Sequence, residues 1–160
     1  MSYAEKTSVT VEKSKAEVEK ILTRYGASQF VSGWDQGHMQ AMVQFDMKSR
    51  RIRFLLKMPT NEQYKTYRRK NSHHDSERTE RQMEDMVDQE MRRRWRALAL
   101  VVKAKLEAVE SGISEFEEEF LAHIVTSSGQ TIGDMVLPKL AHIAEAGKLG
   151  SLLLPAKGAT

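Results

Sequence analysis

Between His38 and Met58 the chain alternates apolar and polar residues twice over, and a period of two admits little besides an antiparallel hairpin. In the first run Met39, Ala41, Val43 and Phe45 point to one side and Gln40, Met42, Gln44 and Asp46 to the other. In the second, Ile52, Phe54, Leu56 and Met58 share a side, with Arg51, Arg53, Leu55 and Lys57 opposite. Lys48-Ser49-Arg50 is the tight connection, and Pro59 ends the second run because proline cannot donate to a ladder. Ala27 to Trp34 carries Phe30, Val31 and Trp34 and closes on the turn residues Asp35-Gln36-Gly37, which makes it a third strand. The expected product is a meander with one apolar face and one face rich in Arg, Lys and Gln.

Helical signals flank this core. Ser8 to Val11 alternates and suits a short first strand. Ser14-Lys15-Ala16-Glu17 then reads as a capping box, in which hydroxyl and carboxylate satisfy orphan N–H groups. Val18, Ile21, Leu22 and Tyr25 follow at helical spacing, and Gly26 suits a left-handed cap, so a helix is expected over Lys15 to Tyr25. Thr60 to Thr79 is polar and aperiodic and reads as a mobile loop. From Glu80 to Ser111 the residues Val87, Met91, Trp95, Leu98, Val102, Leu106 and Val109 keep three- and four-residue spacings, a helix of roughly 45–50 Å, which Gly112 stops. Ser114-Glu115-Phe116-Glu117 is a second capping box for a short helix using Phe116, Phe120 and Ile124, although His123 to Thr126 also suits a strand. Ser127 to Gln130 is a turn, and Thr131 to Ala146 an amphipathic helix with Pro138 inside it. The fold class is therefore α+β: N-terminal helix, three-stranded antiparallel meander, long central helix and C-terminal helices. It forms a single domain over residues 1–150, with a loop at 60–79 and a tail at 151–160.

Composition excludes several functions. Of the 160 residues 40% are apolar and 29% charged, which suits a globular chain. There is no cysteine, hence no disulfide and no thiolate nucleophile or metal ligand. No run of about 18 apolar residues would span a membrane, and Met1 to Lys20 lacks the apolar core of a secretory signal, so a cytoplasmic protein is expected. No phosphate-cradling glycine loop, dinucleotide fingerprint or nucleophile elbow is present. His38, His123 and His142 stand alone, and the adjacent His73 and His74 cannot share one helix face. No catalytic residue, cofactor or metal follows from the sequence.

Charge is more informative. The net charge is only +3. Yet Met47 to Lys70 holds nine basic residues against one acid, Glu62, while Glu115, Glu117, Glu118 and Glu119 cluster elsewhere. Phosphates need dispersed cations, and unpaired bases need flat faces to stack on. Lys48, Arg51, Arg53 and Lys57 on the strands, followed by Tyr64, Tyr67, Arg68, Arg69 and Lys70, combine both. These are the candidate nucleic-acid or phosphate ligands. A second cluster, Arg92-Arg93-Arg94-Trp95-Arg96, lies mid-helix. There Trp95 falls in register with the apolar stripe, and Asp88 and Glu90 stand three or four residues from arginines of the cluster. Expected partners are nucleic acid or a nucleotide. A host protein and self-association through the long helix form an alternative, and no membrane contact is expected.

Two resemblances add expectations. The order helix–strand–strand–strand–helix is similar to the core of the PD-(D/E)xK nucleases, with Asp35, Asp46, Lys48 and Glu17 at comparable places. No proline precedes Asp35, however, the second acid is Asp, and the likeness spans only about residues 15–60. Turn chemistry accounts for the same residues. More broadly, "RYGASQFVSGWD", "RRIRF", "RRRWRALALVVKAKLEAVESGISEFEEEFLAHIV" and "GQTIGDMVLPKL" resemble an uncharacterised family of small bacteriophage and prophage proteins, from about Val11 to Leu140. That resemblance implies no activity or catalytic residue. It implies a setting of nucleic-acid metabolism or interference with host defence.

Overall fold

The computed structural model describes residues 7–68 and 75–146, with side chains through residue 140. Arg69, Lys70, His73 and His74, the side chain of His142 and the 151–160 tail lie outside these described residues. The first helix, α1, spans Val11–Arg24. Its cap is Thr10, whose hydroxyl accepts from the Lys13 N–H at 3.3 Å. Ser14 lies one turn inside, fully buried, and its hydroxyl finds no partner among the described residues. The expected strand at Ser8 to Val11 therefore does not form. Val11 gains more by packing against the core as the first helical residue, and a cap at Thr10 permits it. Gly26 closes the helix at φ +87°, where a side chain would be strained.

Three antiparallel strands follow in the order β1-β2-β3: β1 Gln29–Asp35, β2 Gln40–Met47 and β3 Arg50–Lys57. The alternation is realised as expected. Ala41, Val43, Phe45, Ile52 and Phe54 are buried on one face. The β2–β3 turn has two residues rather than three, because Lys48 and Ser49 both take positive φ. Arg50 is thereby drawn into the ladder opposite Met47, and Asp46 comes to face Arg51. Hairpins favour this turn because its twist matches that of the strands.

The aperiodic 60–79 segment does carry structure in its described part. Asn61–Tyr64 forms a 3-10 turn, and β4 Thr66–Arg68 pairs with β5 Asp75–Glu77. The ladder is supported by Arg78, which donates to the Tyr64 and Thr66 carbonyls at 2.7 and 3.0 Å. The long helix α2 runs Glu80–Glu110 behind a reciprocal Thr79–Gln82 cap. Its stripe of Trp95, Leu98, Ala99, Val102 and Leu106 is buried. α3, Phe116–Phe120, starts one residue later than the Ser114 box implies. Ser114 spends its hydroxyl on Glu119 at 2.8 Å, and the Glu118 carboxylate receives the Glu115 N–H at 3.1 Å.

The strand alternative for residues 123–126 is realised in reduced form. Ile124 bridges to Ile52, and Val125 donates to the Arg51 carbonyl at 2.8 Å, covering the outer edge of β3. α4, Ile132–Ala146, contains Pro138 and is capped reciprocally by Thr131 and Asp134. Together α1, α2, α3 and the inner sheet face form one core, in which the Phe120 ring meets Phe45 and Phe54 edge-on at 5.9 and 6.4 Å. No helix among the described residues is long and apolar enough to cross a membrane.

Gly133 marks a tight approach in this packing. A Cβ there would sit 2.7 Å from the Ala122 carbonyl oxygen, a backbone atom that cannot swing aside. Gly133→Ala is expected to push the start of α4 off the 121–123 turn and cost about 1–3 kcal/mol. A urea denaturation series checks this; an unchanged midpoint would contradict the packing described.

Candidate functional site

The register of the sheet determines what its outer face presents. Cross-strand rows on that face read Gln29–Asp46–Arg51, Val31–Gln44–Arg53, Gly33–Met42–Leu55 and Asp35–Gln40–Lys57. Val31 and Leu55 remain 50% and 49% exposed, so this face is open among the described residues. Arg51 lies flat along the first row, donating to both Asp46 carboxylate oxygens at 2.9 Å. That contact holds the Asp46 carboxyl below its usual range. Arg53 is held in the next row by two bonds to the Gln44 side-chain oxygen, at 3.1 and 3.2 Å, and by a third to the Gly129 carbonyl at 2.8 Å. Both guanidiniums are thus held by acceptors on the sheet face, with Val31 in the row of Arg53 and Met42 and Leu55 in the row after it. A held planar cation next to apolar surface suits the stacking of a flat aromatic ring more than the capture of a mobile anion.

Lys57 ends the fourth row differently. Its side chain is exposed, and no carboxylate pairs with it among the described residues. Beside it opens a cleft of about 570 Å³ lined by His38, Gln40, Lys57, Thr60, Gln63, Arg93 and Arg94, among others. Arg93 and Arg94 both reach Glu90, at 2.6 and 2.7 Å, and Arg94 also donates to the Lys57 carbonyl. The two arginines, Arg93 foremost, pull the Glu90 carboxyl down from 4.5 to about 2. The His38 ring lies against the Asp35 carboxylate, 2.5 Å away. Glu90 thus holds Arg93 and Arg94 beside Lys57, and three basic side chains line this cleft.

A folded carboxyl pKa below the unfolded one stabilises the protein above the unfolded value and loses that effect as pH falls through the folded one. The Glu90–Arg93–Arg94 cluster is accordingly fully effective above about pH 4.5 and fades toward pH 2. Glu90→Gln is expected to lower the urea midpoint at pH 7 and to approach the parent protein at pH 2.5. An equal deficit at both values would contradict the ion-pair account.

Other expected ligands are dispersed. Lys48 sits in the β2–β3 turn at the far end of the sheet, its ammonium 5.6 Å from the Phe116 ring. Arg68 faces Asp75 at 3.8 Å. Tyr64 is half-buried, and one face of Tyr67 is covered by the Arg78 guanidinium at 4.6 Å. In the helix cluster Trp95 is core, and Arg96 pairs with Glu17. The acidic segment engages cations outside the open face: Glu117 meets Arg50 at 3.6 Å and Glu119 meets Lys105 at 3.1 Å.

The nuclease arrangement does not assemble. Asp35 and Asp46 pair with Gln40 and Gln29 at opposite ends of the β1–β2 ladder, roughly 20 Å apart at strand rise. One ion cannot bridge them, and no cluster of potential metal ligands occurs among the described residues. Family models, curated proteins and solved structures give no match to this chain. The residues alone therefore carry the functional argument. His38, Gln40, Thr60 and Gln63 had no sequence signal of their own, since the cleft collects them from separate segments, whereas Arg93 and Arg94 were visible as part of the arginine run.

Proposed function

We propose that the protein binds single-stranded nucleic acid without acting on it chemically. The strand would run across the open sheet face and into the cleft. The observation that carries this reading is the continuity of two surfaces: the held guanidiniums of Arg51 and Arg53 lead along β3 to Lys57, which has no carboxylate partner among the described residues, and to the cleft lined by Arg93 and Arg94. In this reading Arg51 and Arg53 stack on bases with Val31, Met42 and Leu55 around them. Lys57, Arg93 and Arg94 neutralise phosphates. Duplex bases are stacked on each other and offer no free faces to such a platform, so single strands are preferred. The phage resemblance is compatible with such a role.

The test is fluorescence anisotropy with labelled 12-nucleotide DNA and RNA strands and the matching duplex. Single strands are expected to bind at least ten times more tightly than duplex. Affinity unchanged in the Arg51→Ala, Arg53→Ala, Lys57→Ala triple variant would overturn the assignment. The cleft volume also suits a free nucleotide. If that is the ligand, a mononucleotide would compete at concentrations comparable to its own affinity, while strand length would have no effect.

A further inference from the structure

The two edges of the three-stranded sheet are treated differently. The β3 edge is covered by Ile124 and Val125. The β1 edge pairs with nothing among the described residues. An open row of backbone N–H and C=O groups is a template for another strand, and natural edges are usually blunted by Lys, Pro, a bulge or an inward charge. Gln29-Phe30-Val31-Ser32-Gly33-Trp34 has none of these. It also carries two of the most exposed large apolar side chains, Trp34 at 67% and Val31 at 50%.

We infer that this edge pairs with the same edge of a second copy of the chain, joining two sheets into one of six strands. The strand is complementary to itself. With a two-fold axis at Ser32, Trp34 falls opposite Phe30 of the partner subunit on the helix side of the sheet, an aromatic cross-strand pair. On the open side Val31 falls opposite Gly33 of the partner subunit. A Cβ at Gly33 would meet nothing within 4 Å, so there is room for the valine. Charge permits the match: β1 carries a single charge, Asp35 at its end, and this register sets it opposite the neutral Gln29 of the partner subunit. Two indoles, each two-thirds exposed, contribute roughly 330 Å² at about 250 Å² per ring. The valines and the paired backbones add to this, and the contact lies at the small end of specific interfaces, whose lower bound is about 1,000 Å². The dimer is therefore concentration-dependent. The long helix is the poorer interface, because its apolar stripe is buried within its own chain.

This inference does not depend on nucleic-acid binding. Its test is sedimentation equilibrium from 1 to 200 µM with tryptophan emission recorded in parallel. The parent protein is expected to move from 18.3 kDa toward twice that mass, with emission shifting to the blue as Trp34 leaves water. Trp34→Lys and Val31→Lys, both at exposed positions, are expected to keep the monomer mass throughout while circular dichroism stays unchanged. A parent protein that remains monomeric at 200 µM overturns the proposal. So does a dimer that survives both lysine variants, or one that a chain truncated after residue 146 no longer forms, since the contact would then belong to another surface or to the tail.

Discussion

Trp95→Ala is expected to cost about 3–5 kcal/mol of folding free energy. That is a large share of the 5–15 kcal/mol typical of a domain. Trp95 is 1% exposed at the centre of α2, in one cluster with Val18 and Leu22 of α1 and with the inner sheet face. The Lys15 ammonium lies 4.8 Å from its ring. Truncation leaves an indole-sized void between two helices and a sheet, which cannot collapse without separating all three. Trp34→Ala is the matched control, with the same chemical change at a 67% exposed site and an expected effect within about 0.5 kcal/mol. Urea denaturation of the two variants at equal low concentration checks the contrast. Equal midpoints would mean that Trp95 is not the centre of the core.

Reversing charge at the cleft should weaken strand binding about 100-fold at 50 mM salt. The appropriate variant joins Lys57→Glu with Gln63→Glu. Both positions are exposed and line the cleft. Glu at 63 keeps the side-chain oxygen that accepts the Thr60 N–H, so the local turn is preserved while the cleft loses three units of positive charge. Arg50→Glu supplies the control. It shifts the charge by two units near the turn, where Arg50 faces Glu117, and its effect is expected to stay under about threefold, as screening limits charges beyond a Debye length. Equal losses from the two variants would mean that net charge, not the cleft, governs affinity.

Which parts of this were legible in the sequence follows from which interactions are local. Period-two alternation and the stripe of α2 are local patterns, so the meander and the long helix were readable from Ala41, Val43, Phe45 and from Trp95, Leu98, Val102. Caps were less so, because Thr10 and Ser14 both offer a hydroxyl and only the packing of Val11 decides between them. The turn at Lys48-Ser49 mattered most. Counting Arg50 as a turn residue shifts the register by one and hides the Asp46–Arg51 and Gln44–Arg53 pairs. With two turn residues those pairs are required, and arginines expected as phosphate ligands are instead held by Asp46 and Gln44. The pairing of β4 with β5 has no apolar periodicity to reveal it and is supported by Arg78. The cleft draws on residues near 38, 57, 63 and 93, a juxtaposition that only the packing of α2 against the end of the sheet creates.

That division of labour on the open face, stacking by Arg53 and phosphate neutralisation by Lys57, is tested most directly by the salt dependence of binding. Log affinity for a single strand should fall with log salt by about 0.7 per phosphate neutralised. Lys57→Gln is expected to make that slope shallower by about 0.7, whereas Arg53→Gln lowers affinity at every salt concentration and leaves the slope unchanged. Identical slopes for the parent and Lys57→Gln, or a shallower slope for Arg53→Gln, would contradict the account.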